Sequence, residues 1–164
     1  MTITESGMEF GDFSDKEIFR IENSETQKLA QSPPVVEFIY SKSTNKLIFL
    51  EAKSSSPQEK TNKERYNEFI NEITDKFICS FDMYMASKLK RYNEIKSLNN
   101  DIQKTDDSIA EYQFVLVING HQLDWLVPLQ AEFERKLVNH KKIWKSKVIV
   151  INEVLAEKMK LINQ

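Results

Sequence analysis

Apolar residues change their spacing several times along the chain, and each change predicts an element. Behind Pro33-Pro34, Val35 to Tyr40 is rich in β-branched and aromatic residues and too short for a helix; Leu47 to Lys53 has the same character. The polar stretch Ser41 to Lys46 between them reads as a hairpin loop, with Asn45 suited to a left-handed position. From Thr61 to Tyr92 the period switches: Tyr66, Phe69, Ile70, Ile73, Phe77, Phe81, Tyr84, Met85, Leu89 and Tyr92 fall at steps of three and four, one long amphipathic helix. Asn93 to Ser108 is polar and reads as a loop with a disordered tip. Tyr112 to Ile118 is the near-continuous apolar run of a strand buried on both faces. Asn119-Gly120 turns the chain into a second helix from Leu123 to Trp144, with Pro128 tolerated in its first turns. Lys147 to Ile151 is a further buried strand before a short C-terminal helix, and Glu17 to Glu22 reads as a short opening strand. The order predicts an α/β (α+β) protein with a mixed sheet and helices on both faces.

Composition narrows the class. The 164 residues carry 23 Lys+Arg against 25 Asp+Glu, a formal net charge of −2, which excludes a generic basic coat for nucleic acid. This length fits one domain spanning residues 1–164. Cys79, the single cysteine, excludes an intramolecular disulfide or a multi-cysteine zinc site and points to a reducing compartment. The acidic N-terminus lacks signal-peptide character, and no apolar run approaches the roughly 18 residues of a membrane span. A cytoplasmic protein with no membrane partner is expected. With three glycines in the chain, a Gly-rich phosphate loop is absent. The charges are segregated: seven acids lie within residues 1–25, whereas Arg135 to Lys147 holds six basic residues and no acid.

Strand alternation puts Leu47, Phe49, Glu51 and Lys53 on one face, so a charged pair interrupts an apolar run where the strand ends. With a three-residue loop, Ser43 to Asn45, Glu37 falls directly opposite Glu51; a loop of two or four residues turns it to the other face. Two carboxylates facing each other across a ladder repel, and each resists ionisation. A divalent cation removes that penalty, and hard oxygen ligands suit Mg²⁺ or Mn²⁺. Such an ion polarises a phosphodiester and lowers the pKa of a bound water, while Lys53 orients that water, helps to deprotonate it, or neutralises charge in the transition state.

The first acid in PPVVEFIY, the hairpin, the strand LIFLEAKSS with Glu51-Ala52-Lys53, the amphipathic helix and the buried strand together resemble the PD-(D/E)XK nuclease superfamily. The resemblance covers about Glu17 to Ile118, and residues 119–164 form an αβα extension. It implies a restriction-endonuclease-like core and a Mg²⁺-dependent endonuclease or exonuclease with DNA as the expected substrate. Glu37, Glu51 and Lys53 are the implied catalytic residues, and Glu37 and Glu51 the metal ligands. Glu37 departs from the family pattern, which usually has Asp there and a proline immediately before it. An additional acid from the N-terminal element is implied, Glu22 by position, with Glu17 in reserve. Encircling a duplex would take a second copy or a protein partner.

Blander readings stand beside these. Glu51 and Lys53 also fit a solvated pair at a strand end, worth at most about 1 kcal/mol. The same fold without cleavage would suit an interaction or nucleic-acid-binding subunit of a larger assembly, for example in nucleic-acid processing or phage defence. Lys136, Lys141, Lys142 and Lys145 are candidate phosphate contacts, or a solvated helix face complementing a helix C-terminus. His121 reads as a turn histidine near the mouth of a site, Cys79 as a core thiol, and Trp125 and Trp144 as half-exposed aromatics.

Overall fold

A computed structural model describes residues 1–22, 33–91 and 98–163. Among the described residues seven strands and five helices follow in chain order. They are β1 (Ile3–Glu5), β2 (Met8–Phe10), β3 (Ile18–Phe19), β4 (Phe38–Ser43), β5 (Lys46–Lys53), α1 (Lys63–Lys88), α2 (Asn100–Gln103), β6 (Glu111–Ile118), α3 (Leu123–Lys136), α4 (Val138–Trp144), β7 (Lys147–Asn152) and α5 (Glu153–Lys158). The architecture is α+β, with a mixed five-stranded sheet in the order β3-β4-β5-β6-β7. The β3-β4 and β4-β5 pairs are antiparallel, and β5-β6 and β6-β7 are parallel. Among the described residues no helix is long and apolar enough to cross a membrane.

The crossovers β5-α1-β6 and β6-α3-β7 step in the same direction along the sheet, which puts α1 and α3 on the same face. Leu47, Phe49, Phe114 and Leu116 meet Phe77 and Phe81 of α1 and Phe133 of α3 there. Phe49 is the hub, with ring centroids 5.4 Å from Phe114, 5.8 Å from Tyr84 and 6.0 Å from Phe81. The opposite face, carrying Phe38, Ile48, Leu50, Val115 and Val117, is covered by Ile3, Met8, Phe10 and Phe13 and by Ala156 and Leu161 at the C-terminus. The β1-β2 hairpin was not legible in the sequence: strands of three residues carry too little periodicity. Its turn, Ser6-Gly7, has φ of 51° and 77°, the pair of positive values that a two-residue hairpin turn requires.

α1 begins at Asn62, whose side chain accepts from the Arg65 N–H at 3.0 Å, and ends before Lys90, which adopts a φ of 53°. It thus stops earlier than the predicted Tyr92, and Tyr92 itself lies outside the described residues. The predicted polar loop also falls partly outside them; its described part, from Leu98, contains the short helix α2. The predicted single helix from Leu123 to Trp144 is interrupted at Leu137, whose φ and ψ are −95° and 11°. Helical hydrogen bonds continue on either side, Leu137 N–H to Phe133 O and Lys141 N–H to Leu137 O, both at 2.9 Å, so the interruption is local. β4 starts at Phe38 rather than Val35, because the Val36 N–H is taken by Ser80 Oγ of α1 at 2.8 Å. β3 keeps two of the six residues predicted for it. Residues on either side of the predicted 17–118 core share its packing: β7 pairs along β6, and the N-terminal hairpin covers the second face.

The buried ring cluster predicts that Phe49→Ala lowers unfolding free energy by about 3–5 kcal/mol in denaturant titration, whereas Val127→Ala, on an exposed position of α3, changes it by less than about 0.5 kcal/mol.

Candidate functional site

The hairpin register decides whether Glu37 can approach Glu51. The turn has two residues, Thr44 and Asn45, the latter at φ 60°, between the pair Ser43↔Lys46. On its own this would put Glu37 on the wrong face. A register shift between Ser41 and Ser43 inserts Lys42 as an extra residue, and from Ser41↔Leu47 to Phe38↔Leu50 the pairing is that of a three-residue loop. Projected one residue past Phe38, this register brings Glu37 up to Glu51. Glu37 itself has left the strand, and its N–H donates to Leu50 O at 3.0 Å.

Glu51 is 0% exposed, on the face of β5 that meets α1. Two ammonium groups converge on its Oε1: Lys76 Nζ from α1 at 2.7 Å and Lys53 Nζ from two residues along β5 at 3.3 Å. Lys53 is tied in turn to Glu72 Oε1 at 2.9 Å, one turn before Lys76 on α1. Glu51 Oε2, by contrast, is buried without any hydrogen-bond partner. Burial raises the Glu51 pKa, against the lowering pull of Lys76 and Lys53. Lys53 is held above the ordinary lysine value: burial works against its charge, but the Glu72 and Glu51 carboxylates outweigh it.

Glu37 is half-buried, and its pKa is pushed up to about 7, first by burial and then by the negative charges of Glu51, Glu5 and Glu22. Glu22 is therefore within electrostatic range of Glu37, as its position suggested, although it is itself exposed. Glu17 is not at this end: its backbone carbonyl accepts from the Ser41 N–H at 2.7 Å, toward the hairpin turn. Glu5, Glu72 and Lys76 were not anticipated. Glu5 arrives on the N-terminal hairpin and pairs with Arg20 at 2.9 Å. Lys76 had a signal: it stands three residues after Ile73 and seven after Phe69, a charged residue at the margin of an otherwise apolar stripe.

Hard carboxylate oxygens, one of them buried and unpartnered, within electrostatic reach of a second carboxyl that resists ionisation, are of the donor type that suits a divalent cation. Among the described residues no group of three or more His, Cys, Asp or Glu is arranged to hold a metal.

The basic residues lie elsewhere. Lys147 opens β7 opposite Gln113 near the start of β6, whereas Glu51 pairs with Leu116 toward its end, so the basic segment leads into the amino end of the parallel strands. Lys136 donates to Asn71 Oδ1 of α1 at 2.9 Å, Lys141 pairs with Glu134, and Lys142 and Lys145 are exposed. His121 follows the Asn119-Gly120 turn, as expected, and is buried. Its ring Nε2 meets Ser56 Oγ at 2.6 Å and its carbonyl accepts from Asn152 Nδ2 at 2.9 Å. Burial lowers its pKa, so it is neutral at pH 7. Cys79 is partly buried, and burial with Asp75 and Asp82 raises its pKa away from thiolate chemistry. Trp125 and Trp144 are half-exposed, as expected.

Two outcomes follow from this geometry. Because the folded Glu37 carboxyl binds its proton more tightly than the unfolded one, its contribution to stability is greatest at low pH and falls as pH rises from about 4.5 to about 7. Glu37→Gln is expected to flatten that slope in urea titrations at pH 5 and 8 and to raise stability at pH 8. Lys76→Met leaves the buried Glu51 charge with Lys53 alone and is expected to cost about 2–3 kcal/mol, much of it recovered in Glu51→Gln/Lys76→Met.

Compared with protein-family models, with curated proteins and with solved structures, the chain matches none of them, and what the site does is read from its own residues.

Proposed function

We propose that the protein is a metal-dependent nuclease with a restriction-endonuclease-like core, hydrolysing phosphodiester bonds in nucleic acid, DNA being the expected substrate. The observation that carries this reading is Glu51: a fully buried carboxylate on a strand of the central sheet, with one oxygen held by two lysines and the other unpartnered, within electrostatic reach of Glu37. Glu37 and Glu51 would hold Mg²⁺ or Mn²⁺. When bound, the ion polarises a phosphodiester and lowers the pKa of a coordinated water.

The protein's own groups divide the remaining work. Lys76 keeps Oε1 of Glu51 occupied and so fixes the carboxylate with Oε2 free. Lys53, held protonated by Glu72 and Glu51, is suited to neutralising negative charge that develops on the phosphoryl oxygens rather than to removing a proton. Glu72 positions Lys53 from α1. Above about pH 7 Glu37 loses its proton and becomes an anionic ligand, so activity should rise through that range.

One observation favours the second reading, a non-cleaving protein of the same fold that serves as an interaction or nucleic-acid-binding subunit. Lys53 and Lys76 already compensate Glu51 internally, and a site that has lost its cation can persist in that form.

Thermal melting with Mg²⁺ or Mn²⁺ separates the two. The nuclease reading expects metal to raise the melting temperature more at pH 8 than at pH 5.5, with the rise lost in Glu51→Gln. It also expects metal-dependent cleavage of single- or double-stranded DNA that falls at least about 100-fold in Lys53→Ala. Identical melting with and without metal, together with no cleavage, would leave the second reading.

A further inference from the structure

A cleft of about 260 Å³ opens beside the candidate site, where the β5-α1 loop faces the first turns of α3. None of the charged cluster lines it, but the chain links the two at three points. Ser56 is three residues beyond Lys53. The Lys53 carbonyl accepts from the Asn119 N–H at 2.9 Å, two residues before His121. Tyr66, in the cleft wall, precedes Glu72 by six residues on α1, about 9 Å along the helix axis.

The walls have a specific chemistry. Trp125 is 41% exposed, and its ring is propped edge-to-face on His121, with centroids 5.3 Å apart and planes at 80°. His121 is itself locked by Ser56 and Asn152, so the indole has a rigid support. Pro128 and Tyr66 complete an apolar slot, and the polar rim carries two carboxylates, Glu59 and Asp124, against Lys60. That rim repels a phosphate. It accepts a flat, uncharged ring, and its carboxylates can take protons from exocyclic amino groups.

We propose that this cleft takes one unstacked nucleobase, stacked on Trp125, so that the protein engages single-stranded or frayed nucleic acid in preference to intact duplex. A paired base is stacked within its helix and cannot reach a slot of this kind, whereas a single strand offers a π-face at every nucleotide. Bases with an exocyclic amino group, adenine, cytosine and guanine, fit the acidic rim better than thymine. The inference rests on the nuclease reading for the chemistry at Glu51, but the binding it describes does not require turnover.

The test uses the Trp144→Phe protein, in which Trp125 is the only tryptophan, with Ca²⁺ present to offset the acidic cluster. Hexadeoxyadenylate is expected to quench Trp125 emission, hexadeoxythymidylate less strongly, and a blunt hairpin duplex not at all. By anisotropy of a labelled hexadeoxyadenylate, Trp125→Ala in the otherwise wild-type chain should bind about 10-fold more weakly, with Trp125→Phe retaining most of the affinity. Equal affinity for wild type and Trp125→Ala, or duplex binding as tight as single strand, would overturn the proposal. Trp125-dependent binding without any metal-dependent cleavage would uphold the cleft and remove the nuclease reading. Metal-dependent cleavage that is unchanged by Trp125→Ala on single strands would do the reverse.

Discussion

A carboxylate with no exposure to water has to be compensated from within the protein, and the arrangement around Glu51 follows from that constraint. Desolvating a carboxylate costs several kcal/mol even after relaxation. Coulombic attraction and hydrogen bonds from Lys76 and Lys53 offset part of that cost, one ammonium coming from β5 itself and the other from α1 packed on it. α1 is accordingly held in one rotational setting: the stripe that buries Phe77 and Phe81 against the sheet also turns Glu72 and Lys76 toward the end of β5. A buried ion pair of this kind is weak evidence for stability, since an apolar replacement of similar volume is often as stable. A strand whose buried interior is otherwise Leu, Ile, Phe and Ala gains nothing in packing from Glu51. The residue is better accounted for by the oxygen it leaves free.

The two crossovers that place α1 and α3 on the same face have a second consequence. They leave the opposite face of a five-stranded sheet to be covered by the ends of the chain, and those ends are short. Phe10 and Phe13 from the N-terminus and Leu161 from the C-terminus meet there, joined by a bridge between Phe10 and Ile162. The tip of the N-terminal hairpin is fastened at the carboxyl ends of β5 and β6: Ser6 Oγ donates to Ala52 O at 3.0 Å, and Asn119 Nδ2 to Ser6 O at 3.1 Å. A segment recruited to cover the core therefore carries Glu5 and, through it, Arg20 into the charged cluster.

Elements with strong periodicity were legible in the sequence: the helix from Lys63, the buried strands around Phe114 and Val150, and the hairpin that carries Glu51. Elements fixed by tertiary contact were not. Ile3–Glu5 and Met8–Phe10 are strands because a face of the sheet needs cover, and no pattern of three residues announces this. The register that points Glu37 toward Glu51 was legible only as a conditional, since it turns on one extra residue. Lys42 supplies it: its side chain reaches across the second face to Met159 O at 3.0 Å, a contact between residues far apart in sequence. The Glu51-Lys53 pair could be read from strand alternation, but Lys76 could not be assigned to it until the pitch and placement of α1 were known.

The charge of the cluster sets what can approach it. Glu5, Glu22, Glu37, Glu51 and Glu72 stand against Arg20, Lys53 and Lys76, so the group is acidic whenever Glu37 is ionised and less so when it is protonated. The amino ends of α1 and α3, which follow the carboxyl ends of β5 and β6, bring partial positive charge to this side of the sheet. These partial charges fall short of the two full negative charges in excess, so a phosphate backbone is repelled from the bare cluster. On the proposed reading, a divalent cation held by Glu37 and Glu51 would cancel that excess and leave the helices' partial positive charge, so that the cluster could receive a phosphate while the cleft takes a base. The two readings of the protein therefore differ in electrostatics before they differ in chemistry. With a cation, the proposed site would admit nucleic acid at this end of the sheet; without one, the exposed Lys142 and Lys145, in the segment that leads into the opposite end, would be the better candidates for any phosphate contact.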